Sequence, residues 1–494
     1  MSVIDNLAAA WPLVANLESF LALFIGIVVG VVAGAIPGMS ATMAVALTLP
    51  FTFALQPITG ILLLLGVYKG GIFGGSIPAI LIKTPGTPAS SATVLDGYPM
   101  AEKGEAGKAL SMALYASCSA DLMSNLALIL FAGWLASFAL SFGPPEFFTL
   151  ILFSLTIIAG VSGKNLVLGL ISAVLGLLLA TVGLDLVYGT NRFNLNDPNL
   201  MGGLNFIAVL IGLFAIPEIL AYIWDPREKK GSVRSLGGRH LSFAEYKRCF
   251  KSIVRGGFIG VILGSIPGIG AAPAAFLSYS EARRNSKNKE NFGKGEIEGV
   301  AASEAGNNGV CGATLIPLLA LGVPGDVITA IIIGALMIHG LQPGPMMFIA
   351  NADIIYALFL GLIISSILLM GIGNVAIRLF RYIAEIPRPV LLSTVFILCV
   401  YGVYAVNNNV FDIGVMFAMG LLGYFMLRTG IPPAPFLIAF ILGPLLEDNF
   451  RQAMLMSGGS GTILFRSPIT WVFWALTAIT IAAMVRRGLQ RKPL

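Results

Sequence analysis

Lys69-Gly70-Gly71-Ile72-Phe73-Gly74-Gly75-Ser76, running on through Ile77-Pro78-Ala79-Ile80-Leu81-Ile82-Lys83-Thr84-Pro85-Gly86-Thr87-Pro88 to Ser90-Ser91, is the stretch whose reading decides the fold. It is mostly apolar, yet glycines, prolines, two lysines and several hydroxyls interrupt it. In hydrocarbon a freed backbone N–H or C=O has no water to bond, so broken backbone belongs where protein encloses a cavity. The glycines and prolines are therefore expected to break helices at a binding site inside a membrane protein.

The surrounding chain has the composition this reading needs. Of 494 residues 57% are hydrophobic and 11% charged, and mean hydropathy is +0.89, far from the balance of a soluble domain. Apolar runs recur from end to end without the alternation of a membrane barrel, which predicts an all-α polytopic membrane protein. Lys and Arg number 30 against 24 Asp and Glu, a net charge of +6. In a membrane chain such a surplus reports loop orientation and is no argument for nucleic-acid binding. Cys118, Cys249, Cys311 and Cys399 have no paired spacing, so neither a disulfide framework nor a zinc site is expected. The N-terminus lacks the basic region and cleavage site of a signal peptide, so the first helix, near residues 17–35, is expected to be retained, with Trp11 as an interfacial anchor.

Further spans are expected near residues 58–67, 109–142, 147–161, 166–184, 206–224 and 354–380. Residues 225–255 form the longest hydrophilic connection, with Arg227, Lys229, Lys230, Arg234, Arg239, Lys247, Arg248, Lys251 and Arg255, and the positive-inside rule makes it cytoplasmic. It separates an N-terminal membrane half, 1–224, from a C-terminal one, 256–494, whose last residues are also expected in the cytoplasm. The second half repeats the first. Gly34-Ala35-Ile36-Pro37-Gly38 returns as Gly264-Ser265-Ile266-Pro267-Gly268. Pro78 and Pro85-Gly86 return as Pro317 and Pro324-Gly325, and Gly176 to Gly183 returns as Gly423 to Gly430. Matches in the same order at a slowly drifting offset point to internal duplication. Arg378, Arg381 and Arg388 put one end of span 354–380 inside, whereas its counterpart at Gly143-Pro144-Pro145-Glu146 has no basic residue and faces outward. Lys164 lies inside and its counterpart Asn407-Asn408-Asn409 outside. The halves are thus expected to be inverted-topology repeats, with about 10–14 spans in all once broken or re-entrant helices are included.

Each half carries two Pro-Gly breaks. A helix restarting after a break presents unpaired N–H groups and the positive end of its dipole, which suits an anion. Ser40 and Thr42 after Pro37-Gly38, and Thr87, Ser90 and Ser91 after Pro85-Gly86, stand at such restarts. The competing reading is kinked helices packed by small residues. In the second half Asn307-Asn308-Gly309, behind Glu304, offers amide oxygens and NH2 donors to a sodium ion or a carboxylate; interhelical hydrogen bonding is the competing reading. The expected substrate site is drawn from Gly38, Ser40, Thr42, Lys83, Thr84, Pro85, Gly86, Thr87 and Ser90 with Asn307, Asn308, Gly309, Pro324 and Gly325. Asn307, Asn308 and Asp326 are candidates for a coupling ion, although helix capping also explains Asp326. Lys69 and Lys83 are intramembrane charges suited to an anionic substrate, with Asp121 paired to one of them, or else snorkelling to the interface. His339 is expected in a structural hydrogen bond. No HExxH, GxSxG or nucleotide-binding loop occurs, so neither an enzyme nor a cofactor is expected. The alternatives to a carrier are a membrane-embedded enzyme acting on lipid or peptide substrates, which lacks its nucleophile or metal set, and a channel.

The combined motifs resemble the large membrane subunit of the tripartite tricarboxylate transporters. They are Pro37-Gly38-Met39-Ser40-Ala41-Thr42, the run from Gly70 to Pro85-Gly86 continuing through Leu95-Asp96-Gly97-Tyr98-Pro99-Met100, the run Glu304 to Asn308, and Gly340-Leu341-Gln342-Pro343-Gly344-Pro345. The resemblance covers nearly the whole chain. It implies a secondary transporter of the bacterial inner membrane that works with a small membrane subunit and a periplasmic solute-binding protein. It also implies Na+- or H+-coupled uptake of di- or tricarboxylates. Against the family's usual form, Lys83 stands where Asn is usual, Thr87 where Glu is usual, and Lys69 where a small residue is usual. These departures add positive charge near the expected site and remove one carboxylate.

Overall fold

A computed structural model describes residues 3–36, 39–161, 166–185, 189–224, 241–384 and 388–490. Pro37-Gly38, the turn around Lys164 and residues 225–240 of the basic connection lie outside the described residues. The first half opens with α1 (Val3–Val14), α2 (Leu17–Ala35), α3 (Ala41–Thr48), α4 (Pro57–Gly74), α5 (Ser76–Ile82), α6 (Val94–Glu102) and α7 (Ala106–Ala139). It continues with α8 (Pro144–Val161), α9 (Leu166–Ala180), the strands β1 (Gly183–Leu184) and β2 (Asn191–Arg192), α10 (Phe206–Phe214) and α11 (Ile216–Trp224). The second half comprises α12 (Phe243–Gly264), α13 (Ala271–Asn285), α14 (Ile297–Ala313), α15 (Leu315–Leu321), α16 (Val327–Ile338), α17 (Met347–Ala350) and α18 (Ala352–Ala384). It ends with α19 (Arg388–Asn407), α20 (Val410–Thr429), α21 (Pro433–Met456) and α22 (Pro468–Gln490). Among the described residues nine helices are long and apolar enough to cross a membrane, and three shorter apolar helices accompany them. The chain is an all-α polytopic membrane protein. Part of the connection read as 225–255 is helical: α12 begins at Phe243, behind a capping box in which Ser242 and Glu245 exchange side-chain and backbone hydrogen bonds.

Two compact units share the chain, and both draw on both halves of the sequence. Met1–Ala136, Asp225–Ile266 and Gly270–Leu398 form the first, whereas Ser137–Trp224, Pro267–Ile269 and Cys399–Leu494 form the second.

At the centre of the first unit stand α4, buried from Ile58 to Gly74, and α14, buried from Gly299 to Ala313. A helix of large apolar residues is buried by the hydrophobicity of its whole circumference. α14 is different: it is built of Gly, Ala, Ser and Asn, and is buried because small residues let neighbouring backbones approach. α2 packs on α4 and α12 on α14 in the same manner. A Cβ on Gly26, Gly30 or Gly34 would come within 2.3, 2.3 and 2.4 Å of the carbonyl oxygens of Leu63, Val67 and Gly71. On α12, a Cβ on Gly256 or Gly260 would meet the Ala302 and Gly306 oxygens at 2.9 and 2.7 Å. This overturns one expectation. Lys69-Gly70-Gly71 lies inside the unbroken α4, and Gly70 and Gly74 admit the backbone of α2 at Ile27 and Val31 instead of breaking the helix.

The short segments that follow the two central helices exchange partners. α6, downstream of α4, packs on α14; α16, downstream of α14, packs on α3 and α4.

In the second unit α21 packs on α8 and α9, α22 on α8, and α20 on α10 and α11. The span expected over 166–184 is helical only to Ala180, and the loop beyond it contains the antiparallel pair β1–β2. Asp185 accepts from Arg451 at 2.6 Å and Glu447 from Arg192 at 2.6 Å, which ties this hairpin to α21.

Candidate functional site

Both halves build the same break within the first unit. α5 ends at Lys83 in the left-handed region (φ 60°), with Thr84 N–H donating back to the Pro78 oxygen at 3.3 Å. α15 ends at Gly322 (φ 70°), with Val323 N–H donating to the Pro317 oxygen at 3.2 Å. Each is the left-handed stop by which a helix satisfies its last carbonyls. A Pro-Gly pair follows and folds back on the start of its own short helix. Gly86 N–H donates to the Gly75 oxygen at 3.0 Å, and a Cβ at Gly86 would lie 2.1 Å from the Gly34 oxygen. A Cβ at Gly325 would lie 2.7 Å from Thr314 Cβ, at the matching junction of α14 and α15. Glycine is required at both places by close approach.

Ser40 caps α3, its hydroxyl accepting from Met43 N–H at 3.1 Å, and Thr42 sits half-buried in the first turn. After Pro85-Gly86 the chain does not restart an α-helix at once. Ala89–Ser91 is a single 3-10 turn and α6 begins only at Val94. Thr87 and Ser90 are buried and satisfy each other: Ser90 Oγ accepts from Thr87 N–H at 3.2 Å and donates to the Thr87 carbonyl at 2.9 Å. Thr84 is half-buried and Pro85 exposed. Lys83 is exposed, with its ammonium 5.4 Å from the centre of the Tyr98 ring, a cation–π contact.

In the second half Asp326 caps α16. One carboxylate oxygen accepts from Thr329 N–H at 2.8 Å and the other from Tyr68 OH at 3.1 Å. Pro324 and Gly325 are buried beneath it. Gly309 packs against the Gly257 backbone. The two asparagines have different surroundings. Asn308 Nδ2 donates to Ser117 Oγ at 2.8 Å and to the Glu304 carbonyl at 3.1 Å. Asn307 is 0% exposed, and neither its amide nitrogen nor its oxygen has a partner among the described residues. It shares one stripe of α14 with Ser303 a turn earlier and with Cys311 and Thr314 one and two turns later. Ser303 Oγ meets Thr93 Oγ1 at 3.1 Å, and Thr314 Oγ1 meets Tyr68 OH at 3.4 Å. The unsatisfied amide thus lies between the segment after the first break and the cap after the second. Its Nδ2 can donate to an anionic oxygen and its Oδ1 can accept from a donor or ligate a cation.

One group stands out that sequence reading had not assembled, and a second completes a pairing that it had left open between two lysines. Glu304 is fully buried and accepts from Ser76 at 2.6 Å, Ser117 at 3.0 Å and Asn308 at 3.4 Å, with Thr93 as a further donor. An acidic residue in a helix of small residues was the available signal, but its hydroxyl partners lie far away in sequence. Of the two lysines, Lys69 is the one that meets Asp121, at 2.9 Å with both side chains 1% exposed. Asn125, Leu362 and Ser366 complete that cluster. His339 was expected to make a structural hydrogen bond, but its buried Nε2 has no partner among the described residues and its ring lies beside Phe53.

Residues 20–438 match the family described as "Tripartite tricarboxylate transporter TctA family". A protein of Agrobacterium vitis named "Uncharacterized 52.8 kDa protein in TAR-I ttuC' 3'region" is 37% identical over 441 residues, 89% of this chain and 87% of that protein. A second from the same organism, "Uncharacterized protein in TAR-II ttuC' 3'region", is 39% identical over 210 residues, 42% of this chain and 87% of that protein. No solved structure matches the chain. By a match that spans most of its length, this chain belongs to the tripartite tricarboxylate transporter TctA family.

Proposed function

We propose that the chain is the translocating subunit of a three-part importer of small organic carboxylates, driven by Na+ or H+ across the bacterial inner membrane. A small membrane subunit and a periplasmic solute-binding protein are its partners. The observation that carries the site is Asn307, a fully buried amide with unused donor and acceptor between the two breaks. Buried polar groups are ordinarily paired, and one left unpaired calls for a ligand or an ordered water. Asp326 already accepts from the Thr329 N–H at the start of α16 and so fills that helix N-terminus with its own carboxyl group. A substrate carboxylate is therefore held nearer Asn307 and the first-half segment, and Asp326 with Tyr68 belongs to the coupling cation. The exchange of α6 and α16 between α14 and α4 supports two inverted repeats arranged about a pseudo-twofold, as in carriers with a midplane site.

The test is uptake by the reconstituted three-part system with loaded binding protein. Asn307→Ala is expected to lower uptake roughly tenfold or more, the effect of losing about 1.4 kcal/mol of substrate contact. Wild-type kinetics in that variant would sink the site. Saturable counterflow without a gradient separates a carrier from a channel, and chemical turnover of the solute would point instead to an enzyme.

A further inference from the structure

Lys69 is deep in the first unit and its ammonium does not reach the surface. Four oxygens face its Nζ from two other helices. From α7 come Asp121 Oδ2 at 2.9 Å and Asn125 Oδ1 at 3.4 Å. From α18 come the Leu362 carbonyl at 2.9 Å and Ser366 Oγ at 3.4 Å. An ammonium has only three hydrogens to donate, so the oxygens outnumber what a lysine can bond. Carboxylate, carbonyl, amide oxygen and hydroxyl converging on a desolvated point charge are the hard oxygen donors that proteins use for hard cations.

The cage also holds itself together without the lysine. Ser366 Oγ donates to Asp121 Oδ2 at 2.5 Å, and Asn125 Nδ2 donates to Ser366 Oγ at 2.9 Å and to the Leu362 carbonyl at 3.1 Å. Asp121 Oδ1 is buried with no partner among the described residues, so the carboxylate has more acceptor capacity than Lys69 uses.

We infer that Asp121, Asn125, Ser366 and the Leu362 carbonyl form a monovalent-cation site whose occupant in this chain is its own Lys69 ammonium. The lysine is a tethered cation, so no ion from solution is needed at this place. Spacings of 2.9–3.4 Å suit K+ or ammonium better than the smaller Na+. Nothing in this inference uses Asn307 or Asp326, and it stands or falls separately from the transport reading.

Lys69→Ala and Lys69→Ala/Asp121→Asn, purified in detergent, test it by thermal unfolding in KCl, NH4Cl and NaCl against choline chloride. The wild type is expected to unfold at one temperature in potassium and choline alike. Lys69→Ala should unfold lower in choline and regain most of the loss in saturating potassium or ammonium. The double variant should ignore the cation. Recovery of folded Lys69→Ala only when potassium or ammonium is present would support the same conclusion. The inference is overturned if Lys69→Ala does not respond to these cations, or responds equally without the Asp121 carboxylate. Restoration by acid alone, or failure to obtain Lys69→Ala in any of the salts, also overturns it.

Discussion

Tyr68 donates its hydroxyl to Asp326 across 3.1 Å, joining the buried core of α4 to the cap of α16. The bond links the buried helix before the first-half break to the cap that follows the second-half break. Tyr68→Phe removes that donor and leaves the packing of the ring. We expect a folded protein destabilised by about 1–3 kcal/mol, the usual worth of a hydrogen bond to a carboxylate. Uptake should need more coupling cation than in the wild type. An unchanged cation dependence, measured in proteoliposomes, removes Asp326 from the coupling site.

Asn307 and Asn308 are neighbours in sequence and should differ in stability measurements. Asn308→Ala takes a donor from Ser117 and Glu304 and is expected to cost about 1–2 kcal/mol. Asn307→Ala breaks no hydrogen bond among the described residues, so the ligand-free protein should be as stable as wild type or slightly more so. Thermal unfolding without substrate decides the matter. A loss for Asn307→Ala as large as that for Asn308→Ala would mark Asn307 as structural.

Gly30→Ala puts a methyl 2.3 Å from the Val67 oxygen, where only backbone movement can relieve it. Overpacking of this kind costs about 1–3 kcal/mol. Gly371, on α18, has open space around the same position. Gly371→Ala should stabilise its helix by about 0.5–1 kcal/mol through reduced backbone freedom. Expression level and unfolding temperature of the two variants test the contrast, and equal effects would contradict the close α2–α4 contact.

At the start of α12, Glu245 has its carboxyl lowered from 4.5 to about 2 by the Ser242 N–H and then by Lys108. A depressed acid stabilises the fold above its unfolded value and loses that contribution as pH falls. The Ser242 cap and the Lys108 contact should therefore hold above pH 4.5 and weaken progressively toward about pH 2. Hydrogen exchange of the first turn of α12 should accelerate over that window in the wild type. In Glu245→Gln, whose amide oxygen can still accept from Ser242 N–H but cannot gain a proton over this range, exchange should change little across the same window. An acid-insensitive wild type argues against the capping box.

Local chemistry was legible in the sequence where the deciding groups are neighbours. Ser40 caps the helix it precedes, and Pro85-Gly86 and Pro324-Gly325 make matching loops because the same short-range geometry acts twice. The glycines of α4 were misread because their reason lies on another helix. Nothing in Lys69-Gly70-Gly71 says that α2 presents Ile27 and Val31 there, although the four-residue spacing of Gly26, Gly30 and Gly34 hinted at a close-packed partner. The Glu304 cage was hidden for a related reason. Its donors Ser76, Thr93 and Ser117 come from different elements, and a lone hydroxyl in an apolar run carries no mark of what it bonds. Asp121 was visible as a charge needing a partner, but the choice between two lysines depended on tertiary structure.

The glycines of α2 and of α12 recur one helical turn apart, each lodged against the backbone of its partner. Such a contact works like a rack and pawl. A slide of part of a turn would drive Cα atoms and flanking side chains into carbonyls, and the next comfortable seat is a whole turn away, about 5.4 Å. Short of a shift of that size, α2 and α4 travel as a single strut, and so do α12 and α14. If either pair changes length against its partner, it does so by one full tooth.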